Sequence, residues 1–500
     1  MRRKAPLYFS LIISMLVVAA CSVSPMPTEV ATVAPPPAQA ATVVSALTQS
    51  VAPPTEIAPT EAAPTEAPPT EGPIPPTITA SVAKTVLPPT EPSPTTTPSA
   101  TAAPQVLGSP AAPPSGKPIA RLSAGQPITV TTLHMFDANT GWAVAQVSTD
   151  LDSHIVQTAD GAKTWRDVTP PEPASVPVQD QTVGKNAAAF FMSAQDAWVA
   201  FGYPPGAPLA TAAVVTWVTH DGGNTWSPSA PLKVDTLEQY WPSDMDFVDS
   251  HDGWLLVHTG AGMSHDYVAL YATQDGGATW SEVVDPMALP DNGSLAMSCQ
   301  KTGMTFVDAQ HGWVSGNCYG VVPGSPYLYQ TADGGHTWQQ YKLQPPADVP
   351  DLFTNENNAC GTDAPLFVSP TEGKLPVSCQ GLTDNQSRGW LYTTADGGNS
   401  WTARPLPTPY GDLQFLDVNA GWWLGGASPT DPTVTRQLYA TQDDGQTWTL
   451  VKKGVNWNGQ VDFVDAQTGW VVAKSDQATA LVSTSDGGQK WNLVTPQMAH

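Results

Sequence analysis

Short apolar runs separated by polar, glycine-bearing steps recur over about residues 130–495. In one stretch they fall at 304–308, 313–316, 327–330 and 337–342. Runs this short, bounded by Asp and Gly and rich in aromatic and β-branched residues, predict strands. Two eight-residue phrases punctuate them. One sits between the third and fourth predicted strands of each unit: TADGAKTW at 158–165, THDGGNTW at 219–226, TQDGGATW at 273–280, TADGGHTW at 331–338, TADGGNSW at 394–401, TQDDGQTW at 441–448 and TSDGGQKW at 484–491. Their closing tryptophans lie 43 to 63 residues apart. The other sits between the first and second strands: MFDANTGW at 135–142, FMSAQDAW at 191–198, FVDSHDGW at 247–254, FVDAQHGW at 306–313, FVSPTEGK at 367–374, FLDVNAGW at 415–422 and FVDAQTGW at 463–470. Its second copy loses the Asp and the Gly, and its fifth has Lys374 in place of Trp.

The first phrase makes sense as a hairpin turn. The run 267–272 reads as a strand, and another starts at Thr279. Asp275 accepts backbone N–H groups within the turn. Gly276 and Gly277 permit positive φ, and Trp280 offers a large apolar face for packing between units. The same bracing role falls to Asp160, Asp221, Asp333, Asp396, Asp443 and Asp486. No acidic cluster accompanies each copy, so a calcium loop is not indicated. Four-stranded units in series read as blades. The expected fold is all-β: a seven-bladed β-propeller of four-stranded antiparallel blades. The last copy owns its strands through Thr495, so the ring either closes without strand exchange or takes 127–130 into its final blade.

The phrase T-x-D-G-G-x-T-W resembles the Asp box of the BNR-repeat propellers. Its pairing with F-x-D-x-x-x-G-W resembles the photosystem II assembly/stability factor group among them. The resemblance covers about 130–495 and implies the propeller fold. It does not imply one activity, because sialidases, other glycosidases, sorting receptors and assembly factors share the box. The resembling photosynthetic factors bind a partner through basic surface residues. This chain departs from that pattern.

Residues 1–20 read as a signal peptide: Arg2, Arg3 and Lys4, then an apolar run over 7–20 that is short for a membrane span. Val18-Ala19-Ala20-Cys21 resembles a bacterial lipobox, with the Cys21 thiol as the lipidated atom. Residues 21–117 are dominated by Pro, Thr, Ala and Glu, with PTE written four times between Pro54 and Glu71. That composition lacks the apolar bulk to offset ordering entropy and reads as a disordered, extended stalk. Residues 118–500 are the folded propeller. Residues 117–500 carry 16 basic and 38 acidic residues. Such a balance argues against nucleic acid or a bare anionic membrane as partner. The lipid is the expected membrane contact, and the protein is expected as a monomer on the extracytoplasmic face of a bacterial envelope.

Four cysteines lie in the body. Cys299 and Cys318 stand seven before and twelve after Phe306, and Cys360 and Cys379 stand likewise about Phe367. Equivalent positions in two repeats predict the bridges Cys299–Cys318 and Cys360–Cys379, although four cysteines allow three connectivities. An oxidising compartment agrees. A zinc site is disfavoured, since no His accompanies both pairs. His258, His265 and Asp266 have only weak metal-ligand spacing, and neither metal nor cofactor is expected.

Sialidase chemistry needs an arginine clamp, and Arg121, Arg166, Arg388, Arg404 and Arg436 do not form a recognisable one. Neither a G-x-S-x-G phrase nor a phosphate loop is present. Other glycosidases need only two carboxylates at a set distance, which 38 acidic residues neither locate nor forbid. The reading is therefore a non-catalytic surface lipoprotein whose propeller binds an envelope protein or a polysaccharide. The alternative is a polysaccharide-acting glycoside hydrolase. The long loops at 203–211, 227–244, 258–266, 285–302, 317–325 and 343–364 offer a binding face. Tyr203, Tyr240, Trp241, Tyr319, Tyr410 and Trp457 are the candidate contacts there.

Overall fold

The computed structural model describes residues 119–499, except 149, 172–183, 204–213, 235–236, 263–264, 289–292, 319–324, 429–434 and 476–477. The expected signal peptide, Cys21 and the Pro/Thr-rich stalk lie outside the described residues. Among the described residues every regular element is a β-strand.

The strands form groups of four antiparallel neighbours in chain order. The first group is Thr129–Met135, Gly141–Val147, Asp150–Thr158 and Thr164–Asp167, and the second is Ala187–Phe191, Ala197–Phe201, Thr216–Thr219 and Ser227–Pro228. The third is Trp241–Phe247, Gly253–Gly262, His265–Thr273 and Ser281–Val284, and the fourth is Gln300–Phe306, Gly312–Asn317, Tyr327–Thr331 and Gln339–Gln340. In the fifth group the first strand is split into Asn358–Thr362 and Leu366–Phe367, both paired with Gly373–Gly381, before Ser387–Thr394 and Thr402–Pro405. Pro365 precedes the second half and has no N–H to give a ladder. The sixth is Tyr410–Phe415, Gly421–Gly426, Arg436–Thr441 and Thr449–Val455, and the seventh is Asn458–Phe463, Gly469–Lys474, Thr479–Thr484 and Asn492–Val494. The fourth and fifth groups share one sheet through the pair Asn317–Gly361. The fourth strands are shorter than the spacing predicts: the expected 337–342 is reduced to Gln339–Gln340, because Thr337 and Trp338 still belong to the turn.

The F-x-D-x-x-x-G-W phrase is explained by register. Phe247 stands opposite Gly253. A Cβ on that glycine would lie 2.4 Å from the Phe247 ring, so the ring needs a bare backbone beneath it. Trp254, the next residue, stacks on Phe306 of the following group at 3.6 Å and an interplanar angle of 1°. The same stack recurs as Trp142–Phe191, Trp198–Phe247, Trp313–Phe367 and Trp422–Phe463. Each group thereby buries both faces against neighbours.

Seven hydrophobic clusters among the described residues each join consecutive groups. One of them joins the last group to the first, packing Trp470, Val472 and Leu481 against Leu133, Met135 and Ala143. Residues near the C-terminus reinforce that contact. Gln497–Met498 runs parallel to Thr164–Trp165 as a fifth strand of the first sheet. Met498 exchanges backbone bonds with Gly125 and Gln126, and Ala499 N–H donates to Trp165 O. The expected alternatives were no exchange, or addition of 127–130 to the last group. Instead the last residues join the first group, because its outermost strand leaves an unpaired edge for them.

Both predicted disulfides are present. Cys299 and Cys318 have Cα atoms 4.6 Å apart, and Cys360 and Cys379 stand opposite one another at 4.1 Å.

Candidate functional site

The turn phrases carry most of the repeated carboxylates. In the fourth group the Thr331 hydroxyl donates to Asp333 Oδ1 at 2.8 Å and accepts from Gly335 N–H at 2.9 Å. Asp333 also accepts from the Thr337 N–H and hydroxyl. The Gly334 N–H donates to Gln310 O, in the turn of the other phrase. The equivalent donor in every other group is Gly161, Gly222, Gly276, Gly397, Asp444 or Gly487, so the two turns of each group are locked together at one end. Gly398 illustrates the closeness of the next group: a Cβ there would meet the Trp313 ring at 2.5 Å.

These bonds stabilise the ionised carboxylates. The hydroxyl and N–H of Thr225 hold Asp221 down at about 2, and those of Ser400 do the same for Asp396. Burial works upward on Asp160, Asp275 and Asp333, yet their hydrogen bonds outweigh it and the values fall. Asp443 and Asp486 are lowered chiefly by the N–H groups of Thr447 and Lys490. A carboxylate so engaged is a turn brace and a poor general acid.

A second set of polar side chains lines the first strands. Outside the fifth group, where Asn358–Thr362 also meets Asn317, each of these strands lies at a sheet edge and leaves a row of backbone donors without a strand partner. Side chains of the preceding group fill that role. Asp244 Oδ2 accepts from Met304 N–H at 2.8 Å and Asp246 Oδ2 from Phe306 N–H at 2.7 Å. Asp412 accepts from Val461 N–H, and Gln414 both accepts from and donates to Phe463. Gln460 and Asp462 close the series on Leu133 and Met135 of the first group. Sequence reasoning missed this set. The signal was present in W-P-S-D-M-D-F, Y-G-D-L-Q-F and N-G-Q-V-D-F, where polar residues stand one and three places before the Phe.

Asp412 differs from the rest. It is 3% exposed, and its Oδ1 has no hydrogen-bond partner. Burial pushes its carboxyl well above the ordinary carboxylate range; the Val461 N–H and Lys474 oppose this, while Asp363 and Asp462 reinforce it. Lys474 is itself lowered by burial, with Asp412 opposing.

The third node joins the third and fourth groups. His258 Nδ1 lies 2.7 Å from Asp266 Oδ1, and Asp266 Oδ2 accepts from Lys301 N–H. Burial lowers the Lys301 ammonium to about 8. Its three protons go to the carbonyls of Asp266, Ser298 and Cys299. The arrangement anchors the turn bearing Cys299.

Of the predicted contact aromatics, Tyr203, Tyr240, Tyr410 and Trp457 are buried in the structure. Tyr203 and Tyr240 lie in the core cluster between the second and third groups, and Tyr240 is fully buried. Trp457 packs in the cluster between the sixth and seventh groups. Tyr410 is 7% exposed and donates to Ser387 Oγ. Trp241 is a partly buried strand residue, and Tyr319 lies outside the described residues. Buried rings of this kind offer packing area and little surface to a ligand. The segment 258–266 also differs from expectation: Gly253–Gly262 and His265–Thr273 extend a hairpin through it. The arginines are dispersed: Arg121 bonds Asp167, Arg166 bonds Gly222 O, Arg388 bonds Asp384 and Arg404 bonds Asp444.

No family model matches the chain. A xyloglucanase from Paenibacillus sp is 24% identical over 249 residues, covering 46% of this chain and 23% of that protein. The chain thus spans under a quarter of that relative. The photosystem II assembly protein Ycf48 of Thermosynechococcus vestitus (strain NIES-2133 / IAM M-273 / BP-1) is 26% identical over 251 residues, covering 38% of this chain and 70% of that one. Among solved structures, Ycf48 bound to a D1 peptide aligns over 76% of this chain and 99% of its own, at 17% identity and a TM-score of 0.42. A PL25 ulvan lyase bound to a saccharide aligns over 76% and 97%, at 11% identity and a TM-score of 0.43.

Proposed function

We propose that the seven groups are blades of a closed seven-bladed β-propeller, tethered through a lipidated Cys21 and the 21–117 stalk to a bacterial envelope. Its role is to bind a protein or a glycan as an assembly scaffold. The carrying observation is that the repeated carboxylates are consumed within their own turns. They are structural, which leaves the repeats as a frame. The seventh cluster, packing the last group on the first, supports ring closure. The acidic body favours a partner that is neutral or cationic. One relative is named an assembly protein, and a scaffold role is in keeping with it.

One observation favours the hydrolase reading: Asp412, with a raised carboxyl, has Asp363 and Asp462 as neighbours. A carboxyl raised above the ordinary range with other carboxylates nearby suits the general acid of glycoside hydrolysis. Another relative is named a xyloglucanase. The burial of Asp412 weighs against contact with a substrate.

The test is crosslinking of the full-length protein in its native envelope, read by mass spectrometry. One enriched protein linked through the loops opposite the box turns is the expected result. Turnover on a glycan panel that disappears in Asp412→Asn would replace the scaffold with the hydrolase. Links confined to the stalk would remove the propeller as the binding element.

A further inference from the structure

Six of the seven contacts between neighbouring groups follow one scheme. A Trp at the end of the F-x-D-x-x-x-G-W phrase packs on the Phe or Met that opens the next copy. The contact between the fifth and sixth groups departs from it. Its Trp is Lys374, fully buried, with Nζ 5.2 Å over the Phe415 ring. Its cluster holds four buried residues, Leu391, Leu406, Phe415 and Trp423, where each of the others holds ten or more.

A second departure falls on the same contact. The first glycine of the turn phrase is Asp444 in the sixth copy alone. It keeps the glycine conformation, at φ 64°, which Asp tolerates better than most residues. Lys374 Nζ donates to Asp444 Oδ1. Arg404 Nη1 donates to the Asp444 carbonyl at 3.1 Å and to Oδ2 at 3.2 Å. Two sequence exceptions, 70 residues apart, therefore neutralise one another at one joint.

We propose that this joint is an ionic latch, the place where the assembly opens first. Fewer fully buried apolar side chains fill this joint than any other, and Leu366, Val368, Leu413, Tyr439 and Trp448 around them are only partly buried, so less hydrophobic free energy opposes opening. Two other joints have additional ties. The fourth and fifth groups share a sheet, and the first holds the last residues as an added strand. The Asp444 side chain is 24% exposed, so salt reaches one end of the latch. The pair is also specific to its place. Lys374 set against the glycine of another copy would be a buried charge without a partner, which is strongly disfavoured.

Hydrogen exchange on the full chain, at low and high salt, tests this. Peptides covering Ser387–Thr394 and Tyr410–Phe415 are expected to exchange at least about tenfold faster than their equivalents at the joint between the third and fourth groups. The difference is expected to widen with salt and in K374M. The double variant K374W/D444G restores the scheme of the other joints; slowed exchange and lost salt sensitivity are expected there. Should K374M fail to fold, the salt series on the unaltered protein decides. Equal protection at all joints, or faster exchange that ignores both salt and the double variant, overturns the latch.

Discussion

A single hydroxyl holds each turn phrase in shape. Thr331 is buried, and the Gly335 N–H that it accepts is buried with it. Thr331→Val keeps the shape and orphans that donor. The expected cost is about 1–3 kcal/mol, read as a lower urea midpoint at unchanged slope. Charge at the residue scale gives a second prediction. A carboxyl raised in the folded state keeps its proton where the unfolded chain has lost it, so Asp412 makes stability fall as pH rises above the ordinary carboxylate range. Asp412→Asn retains an acceptor for Val461 N–H and removes that slope. The melting temperature of the variant is expected to fall less than that of the parent between pH 5 and 8. The turn carboxylates act with the opposite sign: Asp221 and Asp396, lowered to about 2, contribute stability above the unfolded value that is lost as pH falls through the acid range. Asn at position 412 leaves that acid limb in place.

At the scale of single elements, the short strand Gln497–Met498 has an effect beyond its length. Met498 is buried in the cluster that joins the last group to the first. Met498→Ala is expected to destabilise by about 2–5 kcal/mol. It should also speed amide exchange in Thr164–Asp167, the strand it covers; protection unchanged there would mean that the strand is incidental to the joint. The disulfides are a second element-scale feature. Each closes a 19-residue separation between the first and second strands of its group. Loss of the Cys360–Cys379 bridge in a double Ser variant is expected to cost about 2–4 kcal/mol, seen in denaturant titration.

For the whole molecule, each sheet buries both faces only against its neighbours, and the groups therefore stand or fall together. Deleting one complete group, residues 407–455, is expected to leave two joints unmatched. The outcome should be loss of the cooperative thermal transition or association of copies through the open faces, read by calorimetry and by light scattering. A monomer with an unchanged transition would show that the two clusters flanking the sixth group are dispensable.

The sequence alone determined the all-β class, the unit of four strands, the two turns and both disulfide pairings. These depend on local periodicity and on residues at fixed offsets. Asp275 with its flanking Thr and Gly makes its turn from its own neighbours, and Phe247 finds Gly253 across a tight hairpin. Tertiary structure decided what lies between groups. Tyr203, Tyr240 and Trp457 read as loop residues in sequence because nothing local shows the sheet that will cover them. Asp412 became a raised acid and Asp221 a lowered one because one is enclosed without a second partner and the other is met by its own turn. Lys374 and Asp444 look like unrelated exceptions until folding sets them in contact. Local hydrogen bonding is written in adjacent residues, whereas burial is a property of the partner surface, which the linear chain does not display.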